Sequence, residues 1–199
     1  MTLVLGVDTE TTGLPARGEV ITSPSYPYLV EMAAILFDTD TEREVAMFSF
    51  IIRPDGWTIP SAASEIHGIT QEMATARGVP TAVAIAAYTN LRAVSDEIIG
   101  HNVEFDLGMI AAQIHRLGRV PAHPGPGAVA CTVALGTPIC RIPATERMVA
   151  AGYGDQFKRP NLSELHQYLF GEPFDGAHSA LADVRASLRC LFEIRRRAA

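Results

Sequence analysis

The chain of 199 residues contains no long apolar run and no recognisable targeting segment. No stretch approaches the roughly 18 consecutive apolar residues that a membrane-spanning helix requires, so we expect no membrane partner. The first ten residues lack the basic region of a signal peptide and already include an acid, Asp8. Hydrophobic residues make up 48% of the chain and charged residues 19%, a balance typical of globular proteins. We therefore expect a soluble, cytoplasmic protein in which residues 1–199 form a single domain.

Cysteine and positive charge are also scarce. The three cysteines, Cys131, Cys140 and Cys190, are odd in number and form no CxxC pair, which argues against a disulfide framework and a zinc site. We expect them to be buried, reduced thiols. The 16 basic residues are outnumbered by 22 acidic ones, which gives a net charge of −6. This balance disfavours a protein that binds nucleic acid through a broad basic surface.

Periodicity along the chain predicts alternating blocks of strand and helix. Apolar runs predict five strands, at residues 3–7, 29–38, 44–52, 97–101 and 128–133. Helical spacing and capping signals predict helices within residues 61–78, 80–94, 103–117, 161–171 and 179–196. Residues 118–128 are rich in turn formers, and residues 134–160 indicate largely irregular structure. This order predicts an α/β fold with one mixed sheet flanked by helices.

Three acids are candidates for chemistry in the first half of the chain. Asp8 and Glu10 are two residues apart at the end of a predicted strand, so both side chains project from the same face. Neighbouring carboxylates raise each other's pKa unless a cation relieves their repulsion. The alternative is an ordinary polar turn, because Thr-Thr-Gly follows. Asp106 lies at the margin of a predicted helix's apolar stripe, where it is either tolerated through the helix dipole or directed at a metal ion.

The C-terminal candidates are His178 and Asp183. Their separation of five residues would place them roughly 140° apart on one helix. They converge only if His178 lies in the loop that enters the last helix and Asp183 in its first turns. Four converging carboxylates would repel one another, but they suit divalent cations such as Mg²⁺ or Mn²⁺. Two such ions would bring the net charge from −6 to about −2. A histidine beside them suggests a base that activates water, which predicts a two-metal phosphodiesterase.

Three motifs of the chain resemble those of a known family. DTETTGL, HNVEFD and HSALAD occur in this order. They are similar to the motifs of the DEDDh 3′–5′ exonucleases, the DnaQ-like group that includes polymerase proofreading subunits, ribonuclease T and oligoribonuclease. IHGIT at residues 66–70 and the segment 161–184 are similar to further parts of the family pattern. The resemblance covers nearly the whole chain and implies a ribonuclease-H-like fold, with a mixed five-stranded sheet flanked by helices.

The resemblance also implies the roles of the five candidates. Two Mg²⁺ ions, for which Mn²⁺ can substitute, would bind to Asp8, Glu10, Asp106 and Asp183. His178 would be the general base that deprotonates water, while the two ions would stabilise the attacking and the leaving oxygens. The implied reaction is hydrolysis of the terminal phosphodiester, which releases nucleoside 5′-monophosphates.

Residues near these motifs are candidates for substrate binding by position and resemblance: Thr11, Leu14, His67, Asn102 and Phe105. Leu14 would wedge against a base, and the others would act through backbone contact or stacking. Core packing is an open alternative for Leu14 and Phe105.

The expected substrate is the 3′ end of single-stranded DNA, in repair, degradation or proofreading. RNA trimming is an alternative, because the choice depends on recognition of the 2′-hydroxyl and no residue decides it. A proofreading subunit bound to a DNA polymerase is a second alternative, and a non-catalytic module bound to such a partner is a third. Loop 14–28 and segment 134–160 depart from the family pattern, and loops beside a shared site usually set its preference.

Overall fold

The sheet has five strands in a computed structural model that describes residues 2–121 and 128–198. They are β1 Leu3–Thr11, β2 Leu29–Asp38, β3 Arg43–Ile51, β4 Glu97–Gly100 and β5 Ala128–Cys131. Their order across the sheet is β3-β2-β1-β4-β5. β2 pairs antiparallel with β1 and β3, whereas β4 lies parallel to β1 and to β5. The central strand β1 therefore ends at the same edge of the sheet as β4.

Eight helices within the described residues cover the sheet. They are α1 Ser61–His67, α2 Gln71–Arg77, α3 Thr81–Val94, α4 Val103–Arg116, α5 Thr132–Cys140, α6 Glu146–Ala150, α7 Leu162–Phe170 and α8 Ala180–Ala198. Leu5 and Val7 of β1 pack with residues of α3 and α4, while Val4 packs with residues of α8. The helices therefore lie on both faces of the sheet. None of the described helices is long and apolar enough to cross a membrane.

Gly6 allows α8 to approach β1 closely. A Cβ atom on Gly6 would lie 2.8 Å from Val184 Cγ1 and 3.0 Å from Leu188 Cγ. Because side chains alternate along a strand, Asp8 projects on the same side of β1 as Gly6, toward α8. This close packing brings the first turn of α8, with Asp183, to the end of β1.

The predicted α/β class and mixed five-stranded sheet are confirmed, but two predicted segments of the C-terminal half differ in part from the structure. The strand predicted over residues 128–133 ends at Cys131, because Thr132 begins α5. The segment 134–160, predicted as largely irregular, contains most of α5 and all of α6. Of the turn-rich segment 118–128, residues 122–127 lie outside the described residues.

The missed helix α5 has poor local helix formers. It contains Gly136 and Pro138, which are the two residue types least favourable inside a helix. Packing holds it in place, since a Cβ atom on Gly136 would lie 2.7 Å from Cδ1 of Leu165 in α7. Tertiary contact therefore overrides local propensity here. All three cysteines are free, and Cys190 is the fully buried one, whereas the other two are half-buried.

Candidate active site

The first part of the candidate site is formed by β1 and α4. Asp8 and Glu10 lie at the end of β1 and are half-buried. Asp106 belongs to the first turn of α4 and is only 2% exposed. Because α4 follows β4, the parallel neighbour of β1, its first turn lies at the same sheet edge as Asp8. The Thr9 hydroxyl donates a hydrogen bond of 2.7 Å to Asp106 Oδ1, which fixes this carboxylate.

The second part of the site is the start of α8. His178 is exposed and adopts a left-handed conformation with φ of 69°. It lies in a turn in which the Ser179 N–H donates to the Gly176 carbonyl at 3.0 Å. The backbone N–H of His178 donates to Asp183 Oδ2 at 3.3 Å. His178 therefore sits in the entering loop and Asp183 in the first turn, which is the arrangement that their five-residue separation requires.

The two parts meet in a cluster suited to a metal ion. One ligand atom each from Glu10, His178 and Asp183 lies within 4.8 Å of the other two. Asp183 Oδ1 is buried and has no hydrogen-bond partner among the described residues. A buried, unpartnered carboxylate oxygen is costly unless a cation or donor satisfies it. Its position beside further carboxylates fits a divalent ion with oxygen ligands.

The carboxylates of the site have pKa values above their ordinary range. Burial, and then the charges of Asp106 and Asp183, raise the pKa of Asp8 well above its ordinary value. Burial and the charge of Asp183 raise the pKa of Glu10 to about 8. Burial raises the pKa of Asp106 to about 7 against the opposing effect of the Thr9 hydroxyl, and burial raises that of Asp183 to about 6. Without cations, this cluster retains protons at neutral pH.

A fifth carboxylate, which no sequence motif indicated, belongs to Glu31 of β2. It is 8% exposed and lies opposite Glu10 in the pairing of β1 with β2. Its Oε2 accepts from the Ala180 N–H at 3.1 Å, and its Oε1 accepts from the Ser49 hydroxyl at 2.9 Å. Glu31 therefore holds the first residue of α8. The available signal was a single acid within the otherwise apolar run of residues 29–37.

A pocket of about 380 Å³ lies beside Glu10 and contains four of the five predicted substrate-binding residues: Thr11, Leu14, His67 and Phe105. Leu14 is 82% exposed, which contradicts core packing as its role. Phe105 both lines the pocket and packs against the main core. The pocket also contains Ile66 and Ala63 of α1, so its lining is mainly apolar.

His67 presents a buried donor at this pocket. Its Nδ1 accepts from the Ile69 N–H at 3.1 Å, so that in the neutral ring the proton is on Nε2. Burial lowers the pKa of His67, which favours this neutral form. A hydrogen bond to the Thr11 backbone opposes this effect of burial, and Nε2 itself is buried. The ring therefore links α1 to the end of β1 at the floor of the pocket.

The fifth predicted residue, Asn102, does not line this pocket. It precedes α4 and lines a separate cavity of about 440 Å³ together with Arg159. The structure therefore brings together Asp8, Glu10, Asp106, His178 and Asp183, with four of the substrate candidates beside them, and places Asn102 on another side.

Comparison with known proteins identifies the family. The model of the RNase_T family, described as an exonuclease, matches residues 5–191. The chain belongs to this exonuclease family. The predicted DEDDh family and the predicted enzyme class, a 3′–5′ exonuclease, are thereby confirmed. The family depends on divalent metal ions. No curated protein was found to match the sequence.

Solved structures of exonuclease I share the fold. One is 22% identical with a TM-score of 0.74, and the match covers 98% of this chain and 41% of that chain. Two E. coli exonuclease I structures, one with a dA16 oligonucleotide and one a zinc-bound complex with single-stranded DNA, each give 22% identity, a TM-score of 0.73 and the same coverage of both chains. This chain thus spans about two fifths of their length. The likeness confirms the ribonuclease-H-like fold.

Proposed function

We propose that residues 1–199 form a single exonuclease domain that removes nucleoside 5′-monophosphates from the 3′ end of single-stranded DNA. The observation that carries the proposal is one constellation at the end of β1. Asp8, Glu10, Asp106 and Asp183 gather there with His178. An open pocket sized for a nucleotide adjoins Glu10.

Asp8, Glu10, Asp106 and Asp183 would hold two Mg²⁺ ions, for which Mn²⁺ can substitute. The fit rests on the unpartnered buried Oδ1 of Asp183 and on four carboxylates whose pKa values are all raised by burial and proximity. When bound, two divalent ions supply positive charge that activates water and stabilises the phosphoryl group and the departing oxygen.

In this proposal His178 is the general base. A ring nitrogen of His178 lies near carboxylate oxygens of Glu10 and Asp183, where the attacking water would stand. The ring accepts the proton of that water as the water oxygen attacks the terminal phosphodiester and the 3′ oxygen departs. The hydrogen bond from the His178 N–H to Asp183 orients the turn that carries the ring.

The pocket beside Glu10 would bind the terminal nucleotide. Leu14 is exposed at its rim and offers an apolar edge to the base, and Phe105 offers an aromatic ring for stacking. His67 also lines the pocket, and its ring would contact the sugar or the base. Thr11, whose hydroxyl donates to the Gly13 carbonyl at 2.7 Å, shapes the loop that carries Leu14.

DNA is the preferred strand in this proposal because the similar exonuclease I structures include complexes with DNA oligonucleotides. The test uses 5′-labelled single-stranded DNA and RNA of matched sequence, with Mg²⁺ and with Asp8→Ala as the control. We expect a ladder of shortening products from DNA, slower cleavage of RNA, and no ladder with the control or with EDTA.

A faster RNA ladder would overturn the choice of strand. Release of labelled mononucleotide as the first product would overturn the polarity. Activity only after addition of a DNA polymerase would make the protein a polymerase-dependent proofreading subunit.

A further inference from the structure

A second cavity of about 440 Å³ lies on the β4 side of the candidate site. It is lined by residues from the end of β4, from the start of α5 and from the segment that leads into α7, among them His101, Asn102, Val133 and Arg159. The pocket for the terminal nucleotide is formed instead by the end of β1 and by α1. Phe105, on the first turn of α4, lines only the latter, so the start of α4 separates the two cavities.

Hydrogen bonds of His101 hold one wall of the second cavity in place. His101 Nε2 lies 3.1 Å from the Pro160 carbonyl and Nδ1 lies 2.9 Å from the Thr132 hydroxyl. Burial lowers the pKa of His101 to about 4, so the ring is neutral. It donates through Nε2–H to the carbonyl and accepts from the hydroxyl. The first bond ties the segment around Pro160 to the end of β4, although the two residues are 59 positions apart, and the second ties the start of α5 to the same ring.

Arg159 carries the free positive charge of this wall. One of its terminal nitrogens donates a hydrogen bond of 3.0 Å to Asn102 Oδ1, which orients the guanidinium. Among the described residues, no carboxylate forms an ion pair with Arg159, whereas the adjacent Lys158 is paired with Glu164. Two arginines of α8 are paired as well: Arg185 with Glu44 and Arg189 with Glu172.

The two cavities adjoin the same first turn of α4, because Asn102 lines one of them and Phe105 the other. Asn102 lies four residues before Asp106, which corresponds to roughly 6 Å along a helix axis. The Phe105 N–H donates to the Asn102 carbonyl at 2.9 Å, so the two residues belong to the same helical turn. A strand whose last nucleotide lies beside Phe105 would therefore reach Asn102 and Arg159 with its next phosphate.

We propose that Arg159 and Asn102 form a subsite for the internucleotide phosphate that lies on the 5′ side of the scissile one. The inference rests on the proposed exonuclease function and adds a binding site to it. A guanidinium offers several N–H donors and forms strong, charge-assisted hydrogen bonds with phosphate. Since Asn102 occupies only one of them, donors remain for the ligand. On a chain with a net charge of −6, an unpaired cation at this position offsets the repulsion of the substrate.

The test measures KM and kcat of the wild type and of Arg159→Ala on two substrates of different length. The p-nitrophenyl ester of thymidine 5′-monophosphate contains the terminal nucleotide and a scissile ester but no preceding phosphate, whereas the oligonucleotide dT8 contains both. We expect KM for dT8 to rise about tenfold, as for loss of a hydrogen bond to a charged group, with kcat within about twofold. Activity on the ester should stay unchanged, and Arg159→Lys should recover part of the loss on dT8.

Arg119→Ala is the matched control. Arg119 is exposed and follows the C-terminal end of α4, roughly 20 Å along the helix axis from Asn102. The control loses the same charge, so a change in net charge alone would affect both variants equally. For dT8 binding, the slope of log K against log salt concentration should fall by about 0.7 for Arg159→Ala only, because one phosphate contact on a single strand is lost.

The outcomes separate this subsite from the catalytic proposal. Equal losses on the ester and on dT8 would overturn the subsite, because Arg159 would then act on the catalytic centre, and an unchanged KM for dT8 would overturn it as well. If the wild-type protein hydrolyses neither substrate, the proposed function fails. The subsite is then tested by the fluorescence anisotropy of labelled dT8 in Ca²⁺, where equal affinity of wild type and Arg159→Ala would overturn it.

Discussion

Asp106 and His178 lie at opposite extremes of burial within the same candidate site. Asp106 is 2% exposed and is held by a hydrogen bond from Thr9 inside rigid secondary structure. His178 is exposed, in a turn with a left-handed backbone that precedes α8. The buried side holds carboxylates close together, whereas the exposed side presents an imidazole ring to solvent. In the proposed mechanism, the buried side would bind the cations and the exposed side would accept a proton.

The largest effect is expected from Asp106→Asn, which alters the buried side. Activity should fall by about 10³-fold or more, because the variant loses a carboxylate that would hold the proposed metal ions. Asn can still accept the Thr9 hydrogen bond, so the fold should be retained.

The same variant should be more stable than wild type in EDTA at pH 8. The pKa of Asp106 is raised in the folded protein to about 7. The unfolded chain then releases this proton at lower pH than the folded one, so wild type loses stability as pH rises from about 4 to about 7. The variant lacks this loss. Thermal unfolding at pH 5.5 and pH 8 measures the difference, and exposed Asp155 offers the control Asp155→Asn. A lower melting temperature for Asp106→Asn at pH 8 in EDTA would contradict the repulsion argument.

His178→Ala alters the exposed side and should have the next largest effect. Turnover should fall by about 10² to 10⁴-fold, as for loss of a general base. The rise in melting temperature caused by Mn²⁺ should remain, because the four carboxylates are intact. His115→Ala is the matched control, since His115 is exposed near the far end of α4. Loss of the Mn²⁺ effect in His178→Ala would show that this histidine is a metal ligand instead of the base.

A smaller effect is expected at Glu31, which connects the two sides. Glu31→Ala leaves the buried Ala180 N–H without its acceptor, at a cost of about 1–3 kcal/mol in unfolding free energy. Because α8 begins there, kcat should also fall, by about tenfold. Glu31→Gln keeps an acceptor for Ala180 and can donate to Ser49, so its stability should stay close to wild type. Chemical denaturation and kcat of both variants provide the measurement. If Glu31→Gln lowered stability and kcat as much as Glu31→Ala, the charge of Glu31 would be responsible for both effects rather than its hydrogen bonds.

The sequence predicted the parts of the site whose geometry follows from local rules. Asp8 and Glu10 share a strand face because of the two-residue period, and the five residues between His178 and Asp183 imply a loop followed by a helix. Asp106 at the edge of an apolar stripe left two roles open, and only its burial beside Asp8 favours one of them.

The parts that the sequence did not predict depend on contacts between distant segments. Glu31 acts through Ala180, which lies 149 residues further along the chain. Helix α5 contains Gly136 and Pro138, and packing against α7 overrides their low propensity. The cavity of Arg159 depends on the bond between His101 and Pro160. None of these contacts leaves a local pattern in the sequence.

The glycine at position 6 has a consequence for how this enzyme can change. Its missing side chain sets the spacing between β1 and α8, and those two elements carry Asp8 and Asp183. A methyl group there would act as a wedge and would separate the two carboxylates while leaving every catalytic residue in the sequence. The spacing between β1 and α8 thus affects both the packing of the core and the geometry of the candidate site. A substitution at Gly6 that shifts α8 would therefore alter the affinity for the proposed metal ions, although Gly6 itself would contact neither metal nor substrate.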